Sequence, residues 1–141
     1  MLNPAACACF NLRKATRAVT QLFDGILEPS GLRATQFPIL GAVSSAGPET
    51  ISRLAKRLVM DRTTLTRDLK PLQREGLVEV VPGEDRRTRM VRLTKRGREA
   101  LGKAVPLWRE AQARIVEGLG PKRLRALLAD LSETVAVTKR E

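Results

Sequence analysis

Apolar residues recur at steps of three and four along nearly all of this chain, and proline or glycine interrupts the rhythm where one stripe stops and the next begins. Such patterning commits the chain to helices that each bury one face. Aromatic residues cannot dominate the core, since Phe10, Phe23, Phe37 and Trp108 are the only ones and there is no Tyr. Leu, Val, Ile and Ala must fill it. A small aliphatic core with long apolar faces often needs a second copy of the chain to cover them.

The stripes and breaks give an order of elements. A first helix begins after Pro4 and ends by Pro29, with Leu12, Ala15, Val19, Leu22, Phe23, Ile26 and Leu27 on one face. After the break Pro29-Ser30-Gly31, Thr35 is the expected N-cap of a second helix, with Pro38 harmless in its first turn. That helix closes at Gly47-Pro48. Thr50 caps a third, whose stripe reads Ile51, Leu54, Ala55, Leu58 and Val59. Asp61 caps a fourth, Pro71 lies inside it and Gly76 follows its end. Two short β-rich runs, Leu77–Val81 and Met90–Thr94, flank a polar hairpin tip. Thr94 caps a long fifth helix to about Gly118, with a kink expected at Pro106, and Pro121 opens a last helix striped by Leu124, Leu127, Leu128, Leu131 and Val135.

Charge is the second constraint. The net charge is +11, and the stretch from Arg53 to Arg98 alone holds 14 basic against 6 acidic residues. Uniform basicity does not explain that concentration, and the field favours a polyanion. Two short helices joined by a tight turn and followed by a β-hairpin are the winged helix-turn-helix order, with the fourth helix as the reader. On it, Leu65, Leu69 and Leu72 face inward, while Thr63, Arg67, Lys70 and Arg74 line the opposite side. Arg62, Thr63, Thr64 and Arg67 are expected to enter a major groove, where Arg pairs with guanine and Thr meets a base edge or methyl. Lys70 and Arg74 suit phosphates, which position without specifying. The hairpin adds Arg86, Arg87, Arg89 and Arg92, with Asp85 expected to orient a neighbouring guanidinium. A protruding arginine-rich loop suits a narrow minor groove.

With these residues in hand, the run from Ile51 through Thr94 resembles the multiple-antibiotic-resistance regulator (MarR) family. The supporting helix ISRLAKRL, the reader TTLTRDLKPLQREGLV with Thr66-Arg67, and the wing Asp85-Arg86-Arg87 followed by Val91-Arg92-Leu93-Thr94 carry the likeness. The resemblance implies a mainly α winged helix-turn-helix fold with a two-stranded β wing. It implies a homodimer whose first and last helices interlace, near-palindromic operators, repression, and release by a small ligand bound between the dimerisation and DNA-binding parts. By it, Arg87 aligns with the wing arginine and Asp85 with its orienting acid. The expected division is a dimerisation helix over 1–30, a DNA-binding region over 31–98 and dimerisation helices over 99–141. The effector pocket falls between the first, second and fifth helices, where Trp108 either lines it or belongs to the core.

Cys9-Phe10-Asn11-Leu12 is similar to a Cys-Phe-x-Leu segment of the organic hydroperoxide resistance (OhrR) branch, in which that cysteine senses peroxide. A thiolate near a helix start has a lowered pKa, and oxidised Cys9 could react with Cys7, with the partner's copy or with a small thiol. This chain lacks the tyrosines that hold the cysteine in that branch, so both cysteines also read as small apolar residues of a dimer interface.

Other classes find less support. No His, paired carboxylates, phosphate loop or nucleophilic Ser context offers catalysis, and a thiol enzyme on Cys7 and Cys9 lacks a base. A typical zinc site is excluded by composition, and no cofactor is expected. An architectural DNA binder without sequence preference fits the charge but not the short threonines at the reading end. RNA binding lacks exposed aromatic platforms. No apolar run reaches the ~18 residues of a membrane span. The apolar start precedes its first basic residues, the wrong order for a secretory signal, so a cytoplasmic protein is expected.

Overall fold

The structure, a computed structural model, describes Met1 and residues 3–140. Its elements follow the expected order: α1 (Ala8–Leu27), α2 (Phe37–Ala46), β1 (Glu49–Thr50), α3 (Ile51–Arg57), α4 (Arg62–Arg74), β2 (Val78–Pro82), β3 (Arg89–Leu93), α5 (Lys95–Leu119) and α6 (Pro121–Thr138). A short 3₁₀ turn over Pro4–Ala6 precedes α1 and another over Glu28–Ser30 follows it. Helix α4 runs through Pro71 and α5 through Pro106. No helix among the described residues is long and apolar enough to cross a membrane.

The core lies where α2, α3, α4 and the sheet meet. Leu40, Leu54, Leu65 and Leu72 are fully enclosed, with Leu27 entering from the end of α1 and Val91 from β3. The expected inward stripe of α4 is therefore the one observed. Each Leu so buried contributes roughly 1.5–3 kcal/mol.

The hairpin pairs one residue away from the expected limits, with Val80 opposite Val91 and Pro82 opposite Arg89. Pro82 is tolerated because β2 is an edge of the sheet, whose order is β1-β3-β2. Strand β1 was not foreseen. It is two residues long, and its pairing with Met90 and Val91 depends on a partner some forty residues away, which no local pattern reveals.

Three caps are as expected: Thr50 accepts from the amide of Arg53, Asp61 from Thr64 and Thr94 from Gly97. Thr35 is not a cap. The residue before α2 is Gln36, whose side-chain oxygen turns back to accept from the Arg33 amide at 3.0 Å, which leaves Thr35 inside the preceding turn. Val59 also departs from expectation. The third helix stops at Arg57, so Val59 lies outside its stripe and is exposed.

Helices α1 and α6 contrast with the core. Only Leu27 is buried on α1 and only Leu124 on α6, while Phe10, Leu12, Val19, Leu127, Leu128 and Val135 stay exposed on the protomer.

Candidate nucleic-acid interface

Helix α4 is held by its inward leucines and by its first residue's cap. Asp61 accepts from the Thr64 amide at 2.9 Å and from the Thr64 hydroxyl at 2.7 Å. Those two bonds, aided by the nearby Arg67 cation, hold the Asp61 carboxyl below its ordinary range. A depressed pKa means that the cap's contribution is complete above the ordinary value and is lost as pH falls through the lowered one, so it is intact at neutral pH.

The opposite face carries Arg62, Thr63, Arg67, Lys70 and Arg74, all exposed. None forms an ion pair among the described residues, so their donors face solvent. The three threonines at this end differ. Thr64 is half-buried, its hydroxyl proton spent on Asp61, and the Thr66 hydroxyl donates to the Arg62 carbonyl at 2.8 Å. Thr63 is exposed, without such an internal bond, and is the threonine whose hydroxyl is available to a ligand.

At the wing, the Thr88 amide and hydroxyl both donate to the Asp85 carbonyl, and the Gly83 amide donates to Thr88. The Asp85 carboxylate accepts from the Arg87 amide at 3.1 Å. It was expected to orient a guanidinium. It instead fixes the backbone of the tip, because a carboxylate two residues before an amide closes a local turn. Arg86, Arg87 and Arg89 stay exposed and unpaired among the described residues, whereas Arg92 is held by Glu79, its direct cross-strand neighbour, at 2.8 Å.

One basic residue of this region has a structural task that sequence reasoning missed. Arg57 reaches from α3 to Glu49 on β1 at 2.6 Å, to the Ala42 carbonyl at 3.0 Å and to the Ser45 hydroxyl at 3.0 Å. It ties the end of α2 to β1, and Glu49 is the one buried carboxylate among the described residues. The lone acid beside a helix break was the available signal.

A cavity of about 210 Å³ opens between α1, α2 and α5. Thr20, Phe23, Leu27, Phe37 and Trp108 line it, and Phe37 stacks on Trp108 at 5.8 Å with 15° between the rings. Trp108 both packs against the core and faces this cavity. No charged side chain lines it. Cys7 and Cys9 are free, exposed thiols at the start of α1.

Comparison with known proteins agrees with this geometry. Residues 30–88 match the model of the MarR family. The transcriptional regulator MosR of M. tuberculosis, solved in complex with DNA, is 43% identical, with 95% of this chain and 99% of that one covered at a TM-score of 0.84. A mutant MarR of E. coli solved with operator DNA is 26% identical over 87% of this chain and 89% of that one, at a TM-score of 0.78. The activatory protein BadR of Rhodopseudomonas palustris is 38% identical over 65% of this chain and 50% of its own length. The chain spans about half to two-thirds of the length of the curated relatives it matches. With the fold, the cationic face of α4 and the arginine-bearing hairpin tip in place, the chain belongs to the MarR family of helix-turn-helix transcriptional regulators.

Proposed function

We propose that the protein is a cytoplasmic, sequence-specific repressor that binds near-palindromic double-stranded DNA as a homodimer. The observation that carries this reading is the unpaired line of donors on α4 beside an arginine tip whose backbone is fixed. Arg62, Thr63 and Arg67 enter the major groove, while Thr64, expected there from the sequence, is instead committed to the Asp61 cap; Lys70 and Arg74 meet phosphates, and Arg86, Arg87 and Arg89 reach the adjacent minor groove. Residues 31–98 form the DNA-binding region. Residues 1–30 and 99–141 form the dimer, whose two-fold axis brings together the apolar faces that α1 and α6 leave uncovered on the protomer. Selection from a randomised DNA pool tests this. Enriched sequences carry two symmetric half-sites about one helical turn apart, roughly 10 bp. Enrichment without a shared sequence supports an architectural binder instead.

The cavity beside Trp108 is the effector site in this reading. Its uncharged, aromatic lining suits a neutral ring compound and not an anion, which would lose its hydration there without a counter-charge. An effector from such a set is expected to quench the fluorescence of the sole tryptophan and to release DNA over the same concentration range. Quenching without release separates the cavity from regulation. Oxidation of Cys9, with Cys7 as its resolving thiol, is a second route of release, favoured by the exposure of both thiols. Cys9→Ser should then hold DNA in peroxide that frees the wild type. Equal release from both proteins removes the thiol from regulation.

A further inference from the structure

The supporting and reading helices end in the same hydrogen-bonded pattern, and only one has the residue that the pattern favours. After α4, the Leu77 amide donates to the Leu72 carbonyl at 2.9 Å and the Gly76 amide to Gln73 at 3.0 Å, with Gly76 at φ 71°. After α3, the Met60 amide donates to the Ala55 carbonyl at 2.9 Å and the Val59 amide to Lys56 at 3.2 Å, with Val59 at φ 53°. Both are Schellman turns, whose left-handed residue is usually Gly and sometimes Asn. A β-branched residue there is a strained outlier. Val59 is the one non-glycine residue at positive φ among the described residues.

The two hydrogen bonds of the turn would form equally around glycine, so they do not account for a β-branched residue there. The Val59 side chain is 60% exposed, while its neighbours Leu58 and Met60 both pack against the core. Packing is therefore not what keeps a valine at this position. Along the chain it lies between Lys56 in the last turn of α3 and Arg62 and Thr63 at the start of α4, all three exposed and the last two assigned to the proposed groove contact. Strain held at a largely exposed side chain points to a contact made outside the chain.

We infer that Val59 is a DNA-contacting residue, its two methyl groups set against an apolar surface of the duplex beside the start of α4. That surface is either a thymine 5-methyl group or the face of a deoxyribose. The inference rests on the DNA-reading function proposed above.

The test compares full-length wild type with Val59→Gly, Val59→Ala and Val59→Ile on a duplex selected by the wild-type dimer. Val59→Gly should melt a few degrees higher, because glycine accepts the left-handed conformation. It should nonetheless bind roughly tenfold more weakly, since both protomers lose methyl groups from the contact. Val59→Ala should lose a similar factor without glycine's flexibility, and Val59→Ile should bind like wild type. Replacing thymine by uracil in the half-sites separates the two surfaces. Uracil weakens wild type more than Val59→Gly if the 5-methyl group is the partner of Val59, and weakens both proteins by the same factor if the sugar is. Val59→Gly binding as tightly as wild type overturns the inference alone, as does a loss confined to Val59→Gly while Val59→Ala binds normally. A wild-type dimer that selects no sequence overturns the DNA reading, and this inference with it.

Discussion

Gly97→Ala is expected to lower stability by about 3 kcal/mol or more, and the melting temperature by roughly 10 °C. Gly97 is buried in the first turn of α5, where an added Cβ would lie 2.0 Å from the Leu77 carbonyl oxygen and 3.0 Å from its carbon. Neither side can give way. Thr94 fixes the start of α5 by accepting from the Gly97 amide, donating its hydroxyl to the Gly76 carbonyl at 2.6 Å and its amide to Leu77 at 3.1 Å. Leu77 and Val78 are themselves buried in the core. A methyl group here must therefore part α5 from the root of the wing, and DNA affinity should fall with stability. Gly102, on the same helix with open space around it, is the control: Gly102→Ala should gain about 0.5–1 kcal/mol from helix propensity. Thermal melts of the two variants check both. A Gly97→Ala protein as stable as wild type would mean that α5 and the wing root are not in this contact.

The other large effect is expected at Arg67. A guanidinium bidentate to guanine is worth roughly 1–3 kcal/mol of discrimination. In the proposed dimer each half-site would hold one copy, so Arg67→Ala should weaken operator binding by about a hundredfold or more and relax preference at particular base pairs. Lys70→Ala, one turn further from the groove end of α4, should weaken all sequences alike and flatten the dependence on salt. Titrations of both variants against operator duplexes substituted at single base pairs distinguish the roles. Equal, sequence-independent losses would refute this division and make the whole face a phosphate contact.

Much of this was legible from residues alone, because the governing forces are local. The stripe Leu65, Leu69, Leu72 fixes which side of α4 faces inward, and so which cations face out. Caps at Thr50, Asp61 and Thr94 follow from short polar side chains before apolar runs. What escaped depends on partners distant in sequence or on competition between near-equal local bonds. Strand β1 exists only through β3, and Arg57 finds Glu49, Ala42 and Ser45 only once α2 and α3 pack. Gln36 displaced Thr35 as the residue before α2, and the Asp85 carboxylate took a backbone amide over a guanidinium. Val59 continued the apolar rhythm of α3, yet the helix had already stopped at Arg57. Periodicity reports the faces of a helix better than its last residue.

The most direct measurement is a titration of the wild-type protein against a selected operator duplex and a scrambled duplex of equal length, each at two salt concentrations. A sequence-specific dimeric regulator gives two protomers per operator, a preference of about a hundredfold or more over the scrambled duplex, and affinity that falls steeply as salt rises. Equal, salt-sensitive binding to both duplexes would contradict it.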